Sequence, residues 1–160
     1  MMYNKILVPL DGSKQAECVI PHVLGIAGGK KSAQIILLRV CEPVSILADF
    51  PADMLEPWDE HVKAVNTALR KQCAAYLDKV AERLRLEGYS NIKVEGCTGK
   101  PETEILNFIE KNDVDIVVMS SHGHSGPRRW AFGSVVDKVS HASPVSVLVV
   151  RSPECVPLKE

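Results

Sequence analysis

No apolar stretch of the 160-residue chain approaches the roughly 20 residues that a membrane-spanning helix requires. The run Ile6-Leu7-Val8 is too short for the apolar region of a secretion signal. A cytoplasmic protein with no membrane partner is therefore expected. Charge of one sign is also missing, because 19 basic residues face 20 acidic ones. That balance excludes the broad basic face of a duplex-binding protein, and no nucleic-acid partner is expected. Aromatic residues make up 5% of the chain, and Trp58 and Trp130 stand without basic residues between them, so a base-stacking platform is unsupported. Five cysteines, Cys18, Cys41, Cys73, Cys97 and Cys155, are scattered and form no Cys-x-x-Cys pair. Disulfide frameworks and zinc sites both need tighter patterns, so the expectation is free thiols in a reducing compartment. A Gly-x-Ser-x-Gly elbow and a Cys/His pairing are absent as well. This points away from an enzyme, with a slow ATPase as the most that is expected.

What is present is a regular alternation. Lys5-Ile-Leu-Val-Pro9 and Ala33 to Val40 read as buried strands, and Val114 to Ser120 and Val145 to Val150 as two more. Ile92 to Gly96 is a shorter, more polar strand. Between the first two, Ala16, Val19, Ile20, Val23, Leu24 and Ala27 recur at helical spacing, with Ser13 as N-cap, Pro21 as a bend and Gly28-Gly29 as the stop. Val62 through Leu84 marks a long amphipathic helix, Pro101 opens another, and Ser134 to Ala142 forms the last. Cys41 to about Trp58, with three prolines, reads as a long irregular connection. Strands alternating with helices force a parallel sheet covered on both faces, a single three-layer doubly wound α/β domain. The domain is expected over residues 1–152, with a flexible tail over 153–160.

In such a sheet, ligands bind at the carboxyl ends of strands where the winding reverses. Two segments qualify: Val8 to Ser13 after the first strand, and Ser120 to Gly126 after the fourth. Gly123 and Gly126 allow close backbone approach to an anion, and the helix that starts at Gly133-Ser134 offers free N–H groups and a positive dipole end. Ser134-Val-Val-Asp137 resembles a capping box. The same residues are equally those of a plain turn and a plain helix cap. Gly96 to Lys100 has the wrong spacing for a P-loop, and Pro101 stands where Ser or Thr would ligate Mg²⁺. His122 and His124 have no ligand partner at metal-binding spacing, so His122 is read as ordering its loop. Arg128 and Arg129 are either phosphate contacts or a solvated pair. Asp113 and Asp115, at the beginning of a strand, are read as solvated.

Ser120-x-x-Gly123, nine residues and then Gly133-Ser134 resembles the Gly-x-x-Gly, nine residues, Gly-Ser/Thr nucleotide motif of the universal stress proteins. Lys5 to Ser13, Gly99-x-Pro101 and Pro144 to Val150 resemble other parts of that family, with Ser120 standing where the motif has its first glycine. The resemblance implies a Rossmann-like sheet of strand order 3-2-1-4-5 that binds ATP or AMP/ADP in a stress-response or signalling role. By resemblance, Pro9, Leu10 and Asp11 line the nucleoside end, Val40 meets adenine, and Met119 and Ser120 border base and ribose. By resemblance Gly123, Ser134 and Val135 hold the phosphates, and His122, Arg129 and Gly133 are counted with them in the expected nucleotide site. Asp11 is either a ribose or Mg²⁺ contact or a turn-forming residue, and Val40 either a base contact or an ordinary strand end. The resemblance also implies a homodimer through the last strand, 145–150, which has no following helix to hide its edge. A nucleotide hydrolase using the same pocket and a partner-binding module without nucleotide are the two rival readings.

Overall fold

The computed structural model describes residues 3–28, 33–44, 55–121 and 132–151. Five strands, β1 (Lys5–Pro9), β2 (Gln34–Cys41), β3 (Ile92–Thr98), β4 (Ile116–Ser120) and β5 (Ser146–Val150), form one sheet in the order β3-β2-β1-β4-β5. All pairings are parallel, for example Ile6 with Ile35 and with Ile116, and Val117 with Val147. The expected order 3-2-1-4-5 is therefore observed.

Period-two alternation in the central strands splits the core into two layers. Ile6, Val8, Ile35, Leu37 and Val118 point to one face, where Val19 and Val23, with Leu77, Val80 and Leu84, cover them. Leu7, Ile36, Leu38, Val117 and Met119 point to the other, under Ile105, Ile109, Val136 and Val139. Helices α1 (Lys14–Glu17), α2 (Ile20–Ala27) and α3 (Leu55–Leu86) supply the first cover. Helices α4 (Pro101–Lys111) and α5 (Ser134–Ala142) supply the second.

Several local expectations are corrected. The first helical stretch is two helices rather than one bent helix, because Pro21 falls in the first turn of α2, where its missing N–H costs nothing. Ser13 does cap α1, its hydroxyl accepting from the Ala16 N–H at 3.0 Å. Gly28 closes α2 at φ 61°. α3 already begins at Leu55, so the irregular connection is shorter than the sequence suggests. Residues 45–54 of that connection lie outside the described residues, as does the expected tail at 153–160. Asp115 is not simply solvated: its Oδ2 accepts from the backbone N–H of Asn4 at 2.7 Å and of Lys5 at 2.8 Å. Those two donors, Lys5 foremost, hold its carboxyl below the usual range. Asp113 sits in the turn before β4 at φ 47° rather than on a strand.

The cysteine expectation also fails in part. Cys41 and Cys73 are joined by a disulfide, their Cα atoms 6.9 Å apart, while Cys18 and Cys97 remain thiols. The pair is 32 positions apart in sequence and meets because α3 folds back over the end of β2, a long-range contact that spacing alone does not reveal. Cys155 lies outside the described residues.

Candidate functional site

The order of the sheet places β1 between β2 and β4, so the crossovers run in opposite directions on its two sides. A cleft of about 350 Å³ opens at the carboxyl ends of these strands. Its walls come from seven segments of the chain: Pro9 at the end of β1 with Leu10 and Asp11 after it, Ala16 of α1, Leu38 to Glu42 at the end of β2, Leu69 and Cys73 of α3, Pro101 and Ile105 of α4, Met119 and Ser120 of β4, and Gly133 to Val136 at the beginning of α5. Parallel strands deliver their carboxyl ends to one edge, so segments more than a hundred residues apart become neighbours.

Nine of the residues singled out in the sequence, Pro9, Leu10, Asp11, Val40, Met119, Ser120, Gly133, Ser134 and Val135, line this one cleft. His122, Gly123 and Arg129 lie outside the described residues. The stretch that contains them is bracketed by Ser121 and Gly133, where the Gly133 N–H donates to the Ser121 carbonyl at 2.8 Å. Asp11 makes the turn its residue type favours, Oδ1 accepting from the Ser13 N–H at 2.8 Å. Ser120 is the last residue of β4 and is not among the described residues at positive φ, so serine stands there without the backbone strain its glycine counterpart suggests.

Two features differ from the sequence reading. Ser134 is the first residue of α5 rather than its cap, so the capping box is not formed. Gly133 occupies the cap position with no side-chain hydrogen bond to the first turn. The early N–H groups of a helix have no preceding helical carbonyl to bond, and here they begin at the cleft wall.

Arg39 was not anticipated. Its guanidinium lies 4.9 Å above the Tyr76 ring and packs so closely on Gly12 that a Cβ there would meet it at 2.9 Å. Gly12 is at φ +91°, so the turn needs glycine both for its backbone and for the room the arginine takes. The Tyr76 hydroxyl donates to Glu17 Oε1 at 3.0 Å, and Arg83 pairs with the same carboxylate. Burial first, and the Glu17 charge second, push the Tyr76 phenol far above its ordinary value, so it stays a neutral donor. The signal in the sequence was an arginine in the otherwise apolar run Ile35 to Val40, a residue that must reach a partner when a strand is covered on both faces. Among the described residues, no group of three or more His, Cys, Asp or Glu side chains is arranged to hold a metal, and no helix is long and apolar enough to cross a membrane.

A doubly wound α/β protein with a cleft at its switch point is thus defined by fold and site. The chain belongs to the universal stress protein family, whose model matches residues 2–151. It is 30% identical to universal stress protein MJ0531 of Methanocaldococcus jannaschii over 96% of this chain and 85% of the relative. The solved structure of MJ0577, also from that organism, is 28% identical, covers 95% of this chain and 98% of its own, and superposes with a TM-score of 0.78. An Arabidopsis thaliana family member solved with AMP bound shares the fold at 16% identity and a TM-score of 0.59, over 96% of this chain and 95% of its own.

Proposed function

We propose that the chain is a stress-response or signalling module that binds ATP, or AMP or ADP, in the cleft at the carboxyl ends of β1 and β4. The observation that carries this reading is the convergence of Pro9 to Asp11, Val40, Met119 and the uncapped beginning of α5 on one cleft. An apolar slot suits a purine, and helical N–H groups at its far wall suit phosphate. The AMP held by the Arabidopsis protein of the same fold supports the ligand class. In this reading Leu10 and Val40 border the base, Met119 and Ser120 the ribose, and Gly133 to Val135 the phosphates. From the stretch outside the described residues, His122, Gly123 and Arg129 join them. Asp11 sits at the ribose side, and any Mg²⁺ comes with the phosphates, since one carboxylate is too few ligands to hold it alone. The domain is read as residues 1–152, working in the cytoplasm, with binding rather than turnover as its task.

The direct test is mass spectrometry of small molecules released on denaturing protein purified without added nucleotide, followed by calorimetric titration with ATP. Recovery of an adenine nucleotide and saturable binding are expected. A protein that releases none and takes up neither ATP nor AMP at millimolar concentration is the partner-binding module instead. Turnover of about one per second or faster would make it an enzyme.

A further inference from the structure

We propose that Cys41 and Cys73 are a peroxide-oxidised dithiol in the cleft wall, and that their oxidation state sets how firmly α3 is held and how tightly the cleft binds its ligand. The ligand's identity rests on the nucleotide reading above; the chemistry of the sulfurs does not.

Cys41 ends β2, and its carbonyl accepts from the Gly99 N–H at 3.2 Å, which fixes it at the rim of the sheet. Cys73 lies on α3, joined to Cys41, and both residues line the cleft. They are only 9% and 6% exposed, so the cleft is the route by which a small reagent reaches the sulfurs. A nucleotide seated there would cover them.

α3 divides at Cys73. Beyond it, Leu77, Val80, Ala81 and Leu84 are buried in the core. Before it, no residue from 60 to 72 is buried, yet Leu69, one turn ahead of Cys73, belongs to the cleft wall. This overhanging half is tied to the sheet by solvent-exposed polar contacts. Asn66 exchanges two hydrogen bonds with the backbone of Val44, at 2.8 and 3.0 Å, and Arg70 Nε donates to Thr98 Oγ1 at 3.2 Å. Exposed hydrogen bonds compete with water and contribute little each. The disulfide is the covalent anchor of the wall, and its reduction leaves the overhang on non-covalent contacts, of which those to Val44 and Thr98 are solvent-exposed. A wall held in place before binding costs less to order, so the oxidised form should bind tighter.

The step balances. One thiol gives up its proton, its thiolate attacks an oxygen of hydrogen peroxide, the O–O bond breaks, and a sulfenic acid and hydroxide result, the hydroxide taking up that proton to become water. The second sulfur attacks the sulfenic sulfur, the S–S bond forms, and hydroxide leaves as water with the remaining proton. Two thiols and one peroxide become one disulfide and two waters; the sulfurs lose two electrons and the peroxide oxygens gain them. A dithiol reductant reverses this by exchange and is itself oxidised to a disulfide.

The full chain is prepared in two states, one treated with hydrogen peroxide and one with dithiothreitol, and the thiols are counted by alkylation and peptide mass spectrometry. Peroxide should consume Cys41 and Cys73 together, and dithiothreitol should restore both. Backbone hydrogen exchange over residues 60–72 should be slower in the oxidised state. ATP should bind that state at least about fivefold tighter by calorimetry, and by reciprocity should shift the dithiol equilibrium by the same factor. Cys73→Ala should match the reduced protein in both treatments; if it does not fold, the two states of the unaltered chain carry the test. Equal exchange, or thiols at both positions that survive peroxide, overturns the proposal. Equal ATP affinity with both states binding overturns it and leaves the nucleotide reading intact. No ATP binding in either state, with the difference in exchange preserved, sinks the nucleotide reading and upholds the redox control of the wall.

Discussion

Single residues at the cleft take on roles that can be separated by substitution. Because Gly133 and not Ser134 is the cap of α5, Ser134→Ala removes a hydroxyl from the cleft without removing a cap. Its stability cost should stay within about 0.5 kcal/mol, while affinity for ATP falls by the value of one hydrogen bond, about 0.5–1.5 kcal/mol. Gly123→Val should weaken binding more, since the nucleotide motif needs close backbone approach there. The control is Gly96→Ala, because a Cβ at Gly96 meets nothing within 4 Å. Gly99 does not serve, since its φ is +153° and a Cβ would meet Glu104 Cγ at 2.8 Å. Calorimetry on these variants with circular dichroism for the fold checks the ranking, and undiminished binding by folded Gly123→Val would move the phosphates elsewhere. Asp115 makes a second prediction. Its folded carboxyl is lowered, so its contribution is full above the ordinary carboxyl value near 4 and fades as pH falls through the lowered one. Asp115→Asn should therefore destabilise the fold at neutral pH by about 1–2 kcal/mol and differ little from the parent in strong acid. Thermal melts across that range read it, and a constant difference at every pH would rule out the carboxylate as the cause.

At the scale of elements, what the sequence disclosed and what it hid follow from the range of the forces involved. Buried strands and α5 were legible because their periodicity is local: Ser134 to Ala142 was read with the bounds observed. Pro101 at the head of α4 was legible for the same reason, since only a first turn tolerates the missing N–H. The break between α1 and α2 was half legible; Pro21 announced a disturbance, but whether a helix bends or splits depends on packing against the sheet. Arg39 over Tyr76 and the Cys41–Cys73 bond were not legible, because each joins β2 to α3 through the return of a helix whose crossing no short window contains. The nine cleft residues drawn from motif resemblance come together because sheet topology, itself readable from strand–helix alternation, gathers the carboxyl ends. Within α2, Gly25 is exposed and a Cβ there meets nothing within 4 Å. Gly25→Ala should stabilise the protein by roughly 0.5–1 kcal/mol through helix propensity, with ATP affinity unchanged. Urea denaturation measures this, and a loss of stability would mean that α2 is constrained in a way its contacts do not reveal.

At the scale of the whole molecule, the two edges of the sheet are unequal. β3 carries Lys93 and Glu95, paired at 2.8 Å, charged residues of the kind that discourage edge pairing. β5 is Ser-Val-Leu-Val-Val, carries no charge, and leaves Leu148 36% exposed on the outermost strand. Among the described residues no strand pairs with the outer side of β5; an apolar edge of five residues invites a second strand, and pairing with the same strand of another copy closes on a two-fold axis instead of growing into a fibre. A homodimer through β5 is the resulting prediction. Alternation decides where to test it. Val147 and Val149 pack against the core layer under α4 and α5, so a lysine at Val147 would damage the fold and the contact together. Leu148 points to the opposite face and is exposed, so Leu148→Lys places a charge on the edge at little cost to the core. Sedimentation at micromolar concentration should find the parent dimeric and Leu148→Lys monomeric, with the same unfolding transition once the dimer's concentration dependence is removed. The cleft opens at the carboxyl ends of β1, β2 and β4, and Met119 and Ser120 of its wall pair with Val149 and Val150 of β5. Dimer and monomer should therefore differ in ATP affinity only as far as β5 carries strain to that register, and a monomeric variant that binds ATP like the parent would make assembly and ligand binding independent. A parent that sediments as a monomer would overturn the dimer.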